Sequence, residues 1–393
     1  MKVLAYIICY LIYPFSFLWK RDKHQLAFGS YRGGFGDNSK YLFIYTKNHY
    51  PDLECCWLSV NRETVKRVQS LGLPAYWVLS PIGAWKALRA KYWFVSAYTS
   101  DIMHCLSGRA VVFNLWHGVG LKRCEFNIQT GGLADRYVKQ TFKERFYHPE
   151  SFRKPDFLLS STPFQTSMFA SAFRIPKDKC MELGYPRNAI LTKSKENVRQ
   201  FVERYEPKTT LNLIDNIKQY SKVYVYMPTW RDSQKDVFAQ HMDLSKISKV
   251  LADQNAVLLL KPHPNTIVDS IYQADNIVLV DRTVDIYGVL PFTDVLITDY
   301  SSILYDYILM PEKQVILYLY DYEEYVRERD FYYPFDENVV GKKVTSFEQL
   351  LQVLNSGNYV SPQEQKQAII RKFWGDTMNK NVCENIIKQL GIE

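Results

Sequence analysis

The stretch VLITDYSSILYDYILM (295–310) places an apolar run, a polar cluster and a second apolar segment in immediate succession. The run VLIT is typical of a buried strand, and ILYDYILM reads as a helix. Between them, Ser301 and Ser302 occupy the position where the helix should begin, and a hydroxyl there can cap its first N–H groups. The helix dipole also favours an anion at this point. The stretch therefore predicts a strand, a serine-capped helix and an anion site.

The same alternation of strand and helix recurs along the chain in two rounds, which predicts an α/β fold with parallel sheets. A length of 393 residues is too great for one compact core. We predict a membrane-associating segment over 1–23 and two Rossmann-like domains over 24–200 and 201–393, with the last helices able to pack back on the first domain. Two facing domains of this kind indicate the GT-B architecture, whose ligands lie at the carboxyl ends of the strands.

The composition indicates a globular protein whose N-terminal part binds an anionic partner. Hydrophobic residues make up 47% and charged residues 23%. Residues 1–150 hold 20 Lys and Arg against 10 Asp and Glu, and no nucleic-acid motif accompanies this excess, so we expect no nucleic-acid partner. The seven cysteines are irregularly spaced, which favours reduced thiols and excludes a zinc motif.

The N-terminal segment is apolar and then basic. Val3 to Trp19 carries no charge, and Lys20, Arg21 and Lys23 follow it. This length is at the short limit for a helix that spans a bilayer, and no small-residue cleavage site of a signal peptide follows. Its aromatic residues favour a helix that lies in the headgroup region, with the cations against anionic lipid. The alternative is a buried N-terminal helix of the first domain.

The sequence LWHG places a histidine and a glycine directly after an apolar strand of the first domain. His117 would then lie at the sheet edge where ligands bind, and imidazole is suited to accept a proton near neutral pH. Gly118 would let another group approach closely. The alternative is a histidine that only caps the sheet through a backbone hydrogen bond.

Two further clusters, PTWRD and LLLKPHPN, end strands of the second domain. Arg231, Lys261 and His263 would bring cationic or donor groups to one sheet edge, and the prolines of KPHP would hold His263 in a fixed direction. Such donors suit a diphosphate leaving group. Asp299 would either orient a ligand hydroxyl or pair with Arg231 or Lys261. Because these groups supply positive charge, we expect no obligatory metal and no cofactor.

Taken in order, LWHG-x-x-LK, PTWR, KPHP and TDYSS-x-x-x-D resemble the CDP-glycerol glycerophosphotransferase family, which builds teichoic acids and related capsule polymers. GDNSKYLF (36–43) resembles an N-terminal element of that family. The resemblance runs from about Gln25 to the final helix. It departs from the family at Val119-Gly120, where many members have Thr-Pro.

The resemblance implies that an acceptor hydroxyl attacks the glycerol-bearing phosphorus of CDP-glycerol and releases CMP. His117 would be the general base, and His263 would hold the diphosphate or stabilise the departing CMP. The acceptor would be a lipid-linked glycan or polyol phosphate, used by a monotopic enzyme at the cytoplasmic face of the membrane. The donor site would comprise Arg231, Lys261, Pro262, Thr298, Asp299, Ser301 and Ser302, and the acceptor side Asp37, Asn38, Gly118 and Lys122.

Three alternatives remain at this point. A CDP-ribitol-dependent transferase would share every motif, and a GT-B glycosyltransferase would use a nucleotide sugar. An inactive membrane scaffold of a polymer-synthesis complex would lack the motif histidines, and both are present. From the length of the chain we expect a primer or short-addition enzyme, without the extra N-terminal domain of some long polymerases.

Overall fold

The computed structural model describes residues 2–229, 241–262, 274–328, 331–377 and 380–392. Its contacts divide into two α/β units. Unit 1 comprises Met1–Val119, Arg123–Ala189 and Phe373–Glu393, and unit 2 comprises Gly120–Lys122 and Ile190–Lys372.

Unit 1 contains a parallel sheet of seven strands. These are β1 Asp22–Phe28, β2 Glu54–Ser59, β3 Ala75–Trp77, β4 Ala90–Val95, β5 Val111–Asn114, β6 Phe157–Ser160 and β7 Cys180–Glu182. Their order is β3-β2-β1-β4-β5-β6-β7, so the strand order reverses between β1 and β4. In such doubly wound sheets the crevice at the reversal point, beyond the carboxyl ends of the strands, is where ligands bind.

Unit 2 contains a parallel sheet of six strands. These are β8 Lys222–Met227, β9 Ala256–Leu260, β10 Ile277–Leu279, β11 Val295–Thr298, β12 Gln314–Tyr318 and β13 Lys342–Val344. Their order, β10-β9-β8-β11-β12-β13, is the 3-2-1-4-5-6 order of dinucleotide-binding sheets when counted within the unit. The reversal point lies between β8 and β11.

The central strands of unit 2 are mostly apolar because both faces of a parallel sheet are covered by helices. Every residue of β11 and of β9 is buried. The helices of the described chain are α1 Lys2–Phe15, α2 Asp37–His49, α3 Arg62–Ser70, α4 Pro81–Arg89, α5 Ala134–Tyr137, α6 Phe142–Tyr147, α7 Pro163–Phe173, α8 Lys195–Tyr205, α9 Lys208–Ile217, α10 Leu244–Ala252, α11 Ile303–Tyr307, α12 Tyr322–Glu328, α13 Phe347–Ser356, α14 Gln363–Phe373 and α15 Val382–Leu390.

The boundary between the units lies at 189/190 in the structure and not at the predicted 200/201. Helix α8 belongs wholly to unit 2, because its buried Val198 and Val202 pack there, with Val202 against Gly288. The last helix, α15, belongs to unit 1, where Asn381 donates a 2.9 Å hydrogen bond to the Tyr45 hydroxyl of α2. Residues 2–23 are also part of unit 1.

Helix α1 has one packed side and one exposed side. Tyr13 stacks on His104 at 4.9 Å between ring centroids, and the Tyr10 hydroxyl donates to the Arg145 carbonyl. On the other side, Leu11 and Phe15 are each 64% exposed. In the part of the chain that is described, no helix has the length and apolar character needed to cross a membrane.

Candidate functional site

At the reversal point of unit 2, Asp299 joins the ends of β8 and β11. Its carboxylate accepts hydrogen bonds from the Thr229 N–H at 2.9 and 3.0 Å, from the Thr229 hydroxyl at 2.6 Å and from the Tyr300 N–H at 2.6 Å. Beside it, the Thr298 hydroxyl donates to the Met227 carbonyl at 2.7 Å. Thr298 and Asp299 are both buried. Thr298 and Asp299, which the sequence predicted for the CDP-glycerol site, therefore join the ends of β8 and β11.

Lys261 ends β9, and its ammonium group donates to the carbonyls of Asp281 and Val284 at 2.8 and 3.0 Å. Pairing with Lys261 was one of the alternatives for Asp299, and it does not occur between these two described residues, since the Lys261 ammonium group bonds to those carbonyls instead. Burial lowers the pKa of Lys261, and the nearby Asp285 and Asp281 oppose this effect. The sequence analysis did not identify the loop over 281–285, whose carbonyls bind the Lys261 ammonium group.

Two of the predicted donor-site residues, Arg231 and His263, lie outside the described residues. Pro262, between Lys261 and His263, is buried.

The prediction of a serine cap after β11 is wrong. Helix α11 has only five residues, and Ser302 lies before it in the right-handed helical region, with no capping hydrogen bond from its side chain. The Ser301 hydroxyl accepts only a long 3.5 Å hydrogen bond from the Ile303 N–H. Both serines are partly exposed. The dipole of so short a helix is small, so anion binding here must depend on the hydroxyls and N–H groups themselves.

Behind this loop, the buried Tyr300 stacks on Tyr325 at 4.0 Å and donates to the Asp321 carboxylate at 3.0 Å. The Lys122 ammonium group lies 5.1 Å from the centre of the Tyr325 ring. Lys122 also forms an antiparallel bridge with Phe331. The assignment of Lys122 to the first domain is therefore wrong, because this pairing makes it part of unit 2.

In unit 1, His117 follows β5 by three residues and is exposed. Its ring stacks on Trp116 with 4.0 Å between centroids. The surrounding protein desolvates the imidazole and lowers its pKa; the Asp37 carboxylate raises the pKa, Arg187 lowers it, and a hydrogen bond to the Ser96 carbonyl raises it. With a depressed pKa the ring is neutral near pH 7, the form that can accept a proton.

The turn that carries His117 is held by the first turn of α2. The Asn38 amide donates to the carbonyls of Leu115 at 3.2 Å and Trp116 at 2.8 Å. Asp37 accepts a 2.7 Å bond from Arg187, whose guanidinium also donates to the His117 carbonyl at 2.8 Å. Of the two residues expected on the acceptor side, Asn38 therefore bonds to the His117 turn directly, and Asp37 is linked to it through Arg187.

Arg187 is the residue of this group that sequence reasoning missed. Its signal was GYPRN, a polar sequence that follows β7 at the carboxyl edge of the sheet. Gly118, the remaining predicted residue of the acceptor side, is buried and has a φ of 116°, a value that side chains disfavour. Within the described ranges, no group of three or more His, Cys, Asp or Glu side chains could hold a metal ion.

Comparison with known proteins indicates the family of the chain. A family model described as CDP-glycerol:poly(glycerophosphate) glycerophosphotransferase matches residues 11–390. The chain is similar to the teichoic acid glycerol-phosphate transferase of Staphylococcus aureus, with 29% identity covering 93% of this chain and 94% of the relative. It is also similar to the teichoic acid ribitol-phosphate primase of Bacillus spizizenii, with 29% identity over 59% of this chain and 57% of the relative.

Among solved structures, the wall teichoic acid polymerase TagF matches with a TM-score of 0.76 and 23% identity, over 99% of this chain and 97% of that one. At this identity the likeness concerns the fold, and it confirms the predicted α/β class.

Proposed function

The chain belongs to the CDP-glycerol:poly(glycerophosphate) glycerophosphotransferase family, and we propose that it transfers glycerol phosphate from CDP-glycerol to a hydroxyl of a lipid-linked glycan or polyol-phosphate acceptor. The product polymer would be a teichoic acid or a related capsule polymer. The observation that carries the proposal is the reversal point of unit 2. There, a sheet with the nucleotide-binding strand order presents Asp299, Lys261, Ser301 and Ser302 at one edge.

On the donor side, unit 2 would bind the cytidine diphosphate group. Lys261 supplies a positive charge, and the hydroxyls of Ser301 and Ser302 can donate to phosphate oxygens. Asp299 is occupied by Thr229 and Tyr300, so its role is to fix the backbone on which these donors stand. Arg231 and His263 keep their proposed roles at the diphosphate, which follow from the family resemblance.

On the acceptor side, His117 would act as general base. Its neutral imidazole accepts the proton of the acceptor hydroxyl while that oxygen forms a bond to the glycerol-bearing phosphorus. The bond from this phosphorus to the oxygen bridging to the CMP phosphate breaks, and CMP leaves with the electron pair. Cationic and hydrogen-bonding groups aimed at the departing phosphate would stabilise the charge that develops there.

The donor is tested by measuring CMP release with CDP-glycerol and CDP-ribitol and UDP release with a UDP-sugar in parallel, each with acceptor. CDP-glycerol should be the best substrate, and a chelator should leave the activity unchanged because the site has its own positive charge. The greater extent of similarity to a glycerol-phosphate transferase than to a ribitol-phosphate primase favours glycerol. Faster release from CDP-ribitol or a UDP-sugar would overturn the donor assignment, and activity restored by one divalent ion after chelation would overturn the metal-free mechanism.

We further propose that the exposed side of α1 lies on the cytoplasmic face of an anionic membrane. Phe15 and Leu18 are 64% and 77% exposed, and Trp19 packs edge-to-face on Trp85 of α4. Ile82, which is 61% exposed, lies on the same helix as Trp85, so the exposed apolar surface extends from the N-terminal segment to α4. An acceptor that is anchored in lipid would then be within reach of the enzyme.

One cation of the basic segment does not fit the expected contact with headgroups. Arg21 is largely buried, and its guanidinium donates to the carbonyls of Gly108 and Leu106 at 2.7 Å each. Burial lowers its pKa to about 9. Arg21 therefore attaches the end of the N-terminal segment to unit 1, and the contact with anionic lipid is left to Lys20 and Lys23, which are exposed.

Replacing Leu11, Phe15 and Leu18 together with serine should weaken binding to anionic vesicles by roughly 100-fold or more, since each buried apolar side chain contributes about 1.5–3 kcal/mol. These side chains point away from unit 1, so CMP release with a soluble acceptor analogue should persist. Vesicle flotation with and without anionic lipid measures the effect. Val360→Ser, which changes an exposed apolar residue of unit 2, is the control. Unchanged flotation of the triple variant would exclude α1 as the membrane contact.

A further inference from the structure

We infer that Arg187 and Asp37 are positioning residues for the transfer, which hold the His117 turn and set the charge around its imidazole. This inference rests on the proposed role of His117 as general base. Neither residue needs to contact a substrate for this role. Both act through the backbone and the electric field at His117.

The first support is a set of hydrogen bonds to three successive carbonyls. The carbonyls of Leu115 and Trp116 accept from the Asn38 amide, and the His117 carbonyl accepts from Arg187. The turn needs such restraint because Trp116 has a φ of 49°, in the left-handed region that a bulky residue seldom adopts. Without these donors the turn could relax and redirect the imidazole.

The second support is the geometry of the guanidinium. Two different nitrogens of Arg187 donate to Asp37 and to the His117 carbonyl, and the side chain is only 8% exposed. The Arg187 N–H also donates to the Asn38 side-chain oxygen at 3.1 Å. A lysine would bring the charge but could not bond to both oxygens in this fixed fork. Arg187 therefore bonds to Asp37, to Asn38 and to the carbonyl of His117, and so connects the first two residues to the turn that carries the base.

The third support is electrostatic. The charged side chains that act on the His117 imidazole are Asp37, which raises its pKa, and Arg187, which lowers it, while the Ser96 carbonyl accepts a hydrogen bond from the ring. The two members of one ion pair thus have opposite effects on the same base.

Because Asp37 and Arg187 shift the pKa of His117 in opposite directions, a titration can distinguish a positioning role from a purely structural ion pair. Loss of Arg187 should raise the pKa of His117, and loss of Asp37 should lower it. In the pH profile of kcat/KM for CMP release, the acid limb should move to higher pH in Arg187→Met and to lower pH in Asp37→Asn. Each shift should be about 0.5–1 pH unit, as expected for one charge removed near a protein surface.

The experiment measures this profile in both variants and in Arg187→Lys, which should keep the wild-type limb but lose kcat because the fork is lost. Arg199→Met is the matched control, since Arg199 pairs with Asp215 at 2.6 Å in unit 2, whereas His117 belongs to unit 1. In parallel, NMR titration of the His117 ring without substrate should show the same opposite shifts. Melting temperatures identify any variant that fails to fold.

Opposite shifts of the two variants in the NMR titration support the inference. Shifts in the same direction, or none in folded variants, overturn it. This readout needs no substrate, so it decides the inference even if wild-type protein releases no CMP from CDP-glycerol. Absence of CMP release would instead overturn the proposed function.

Discussion

His117→Ala should lose roughly 100-fold or more of the rate of CMP release, the usual scale for removal of a general base. The imidazole is exposed at the carboxyl edge of its sheet and its pKa is depressed, so it is neutral and able to accept a proton near pH 7. The donor site lies in unit 2, and the affinity for CDP-glycerol should therefore remain near that of the wild type. Stopped-flow or coupled measurement of CMP, with a separate binding assay, distinguishes the two quantities.

The control for this variant is His24→Ala. His24 is also an exposed histidine of unit 1, but it lies on β1 towards the amino-terminal edge of the sheet, away from the candidate site. It should retain wild-type turnover. Near-normal turnover of His117→Ala would show that another group accepts the proton.

Asp299→Ala should cause the second large effect, a loss of CDP-glycerol binding accompanied by a less stable unit 2. The substitution leaves the Thr229 N–H, the Thr229 hydroxyl and the Tyr300 N–H without their acceptor. Each buried polar group left without a partner costs about 1–3 kcal/mol. Since these groups join the ends of β8 and β11, the backbone that presents Ser301 and Ser302 should lose its geometry. We expect the Kd for CDP-glycerol to rise by roughly 100-fold, measured by calorimetry.

A matched variant separates the loss of the site from the loss of stability. Asp294 lies at the opposite, amino-terminal edge of the same strand pair, where its carboxylate accepts a 2.8 Å bond from the Val223 N–H. Asp294→Ala should lower the melting temperature but leave the Kd for CDP-glycerol unchanged. If both variants weaken donor binding equally, the effect belongs to the sheet as a whole and Asp299 has no special role at the donor site.

Several features could be predicted from local sequence because they depend on local physics. A strand covered on both faces is mostly apolar, as β9 and β11 are, and the polar residues that follow such strands lie at one sheet edge. This reasoning gave the two-sheet α/β class and brought His117, Lys261 and Asp299 to the edges where ligands bind. The order of the motifs further indicated the family.

Local patterns failed where a longer-range contact replaced the expected one. The serines of TDYSS read as caps, but Ser302 makes no capping hydrogen bond and Ser301 accepts only a long 3.5 Å bond from the Ile303 N–H. Arg21 read as a lipid contact, but its guanidinium donates to four carbonyls of the segments 87–90 and 106–108 of unit 1. Lys122 read as part of the first domain, but its bridge to Phe331 places it in unit 2.

The sequence by itself therefore determined most of the strands, the polar clusters that end them and the chemistry those clusters can perform. Only the tertiary structure decided which clusters meet: Asp37 with Arg187, 150 residues apart, and Thr229 with Asp299, 70 residues apart. The reason is that strand identity follows from local burial and periodicity. Strand order, which brings distant ends together at a reversal point, follows from the packing of the whole sheet and its helices.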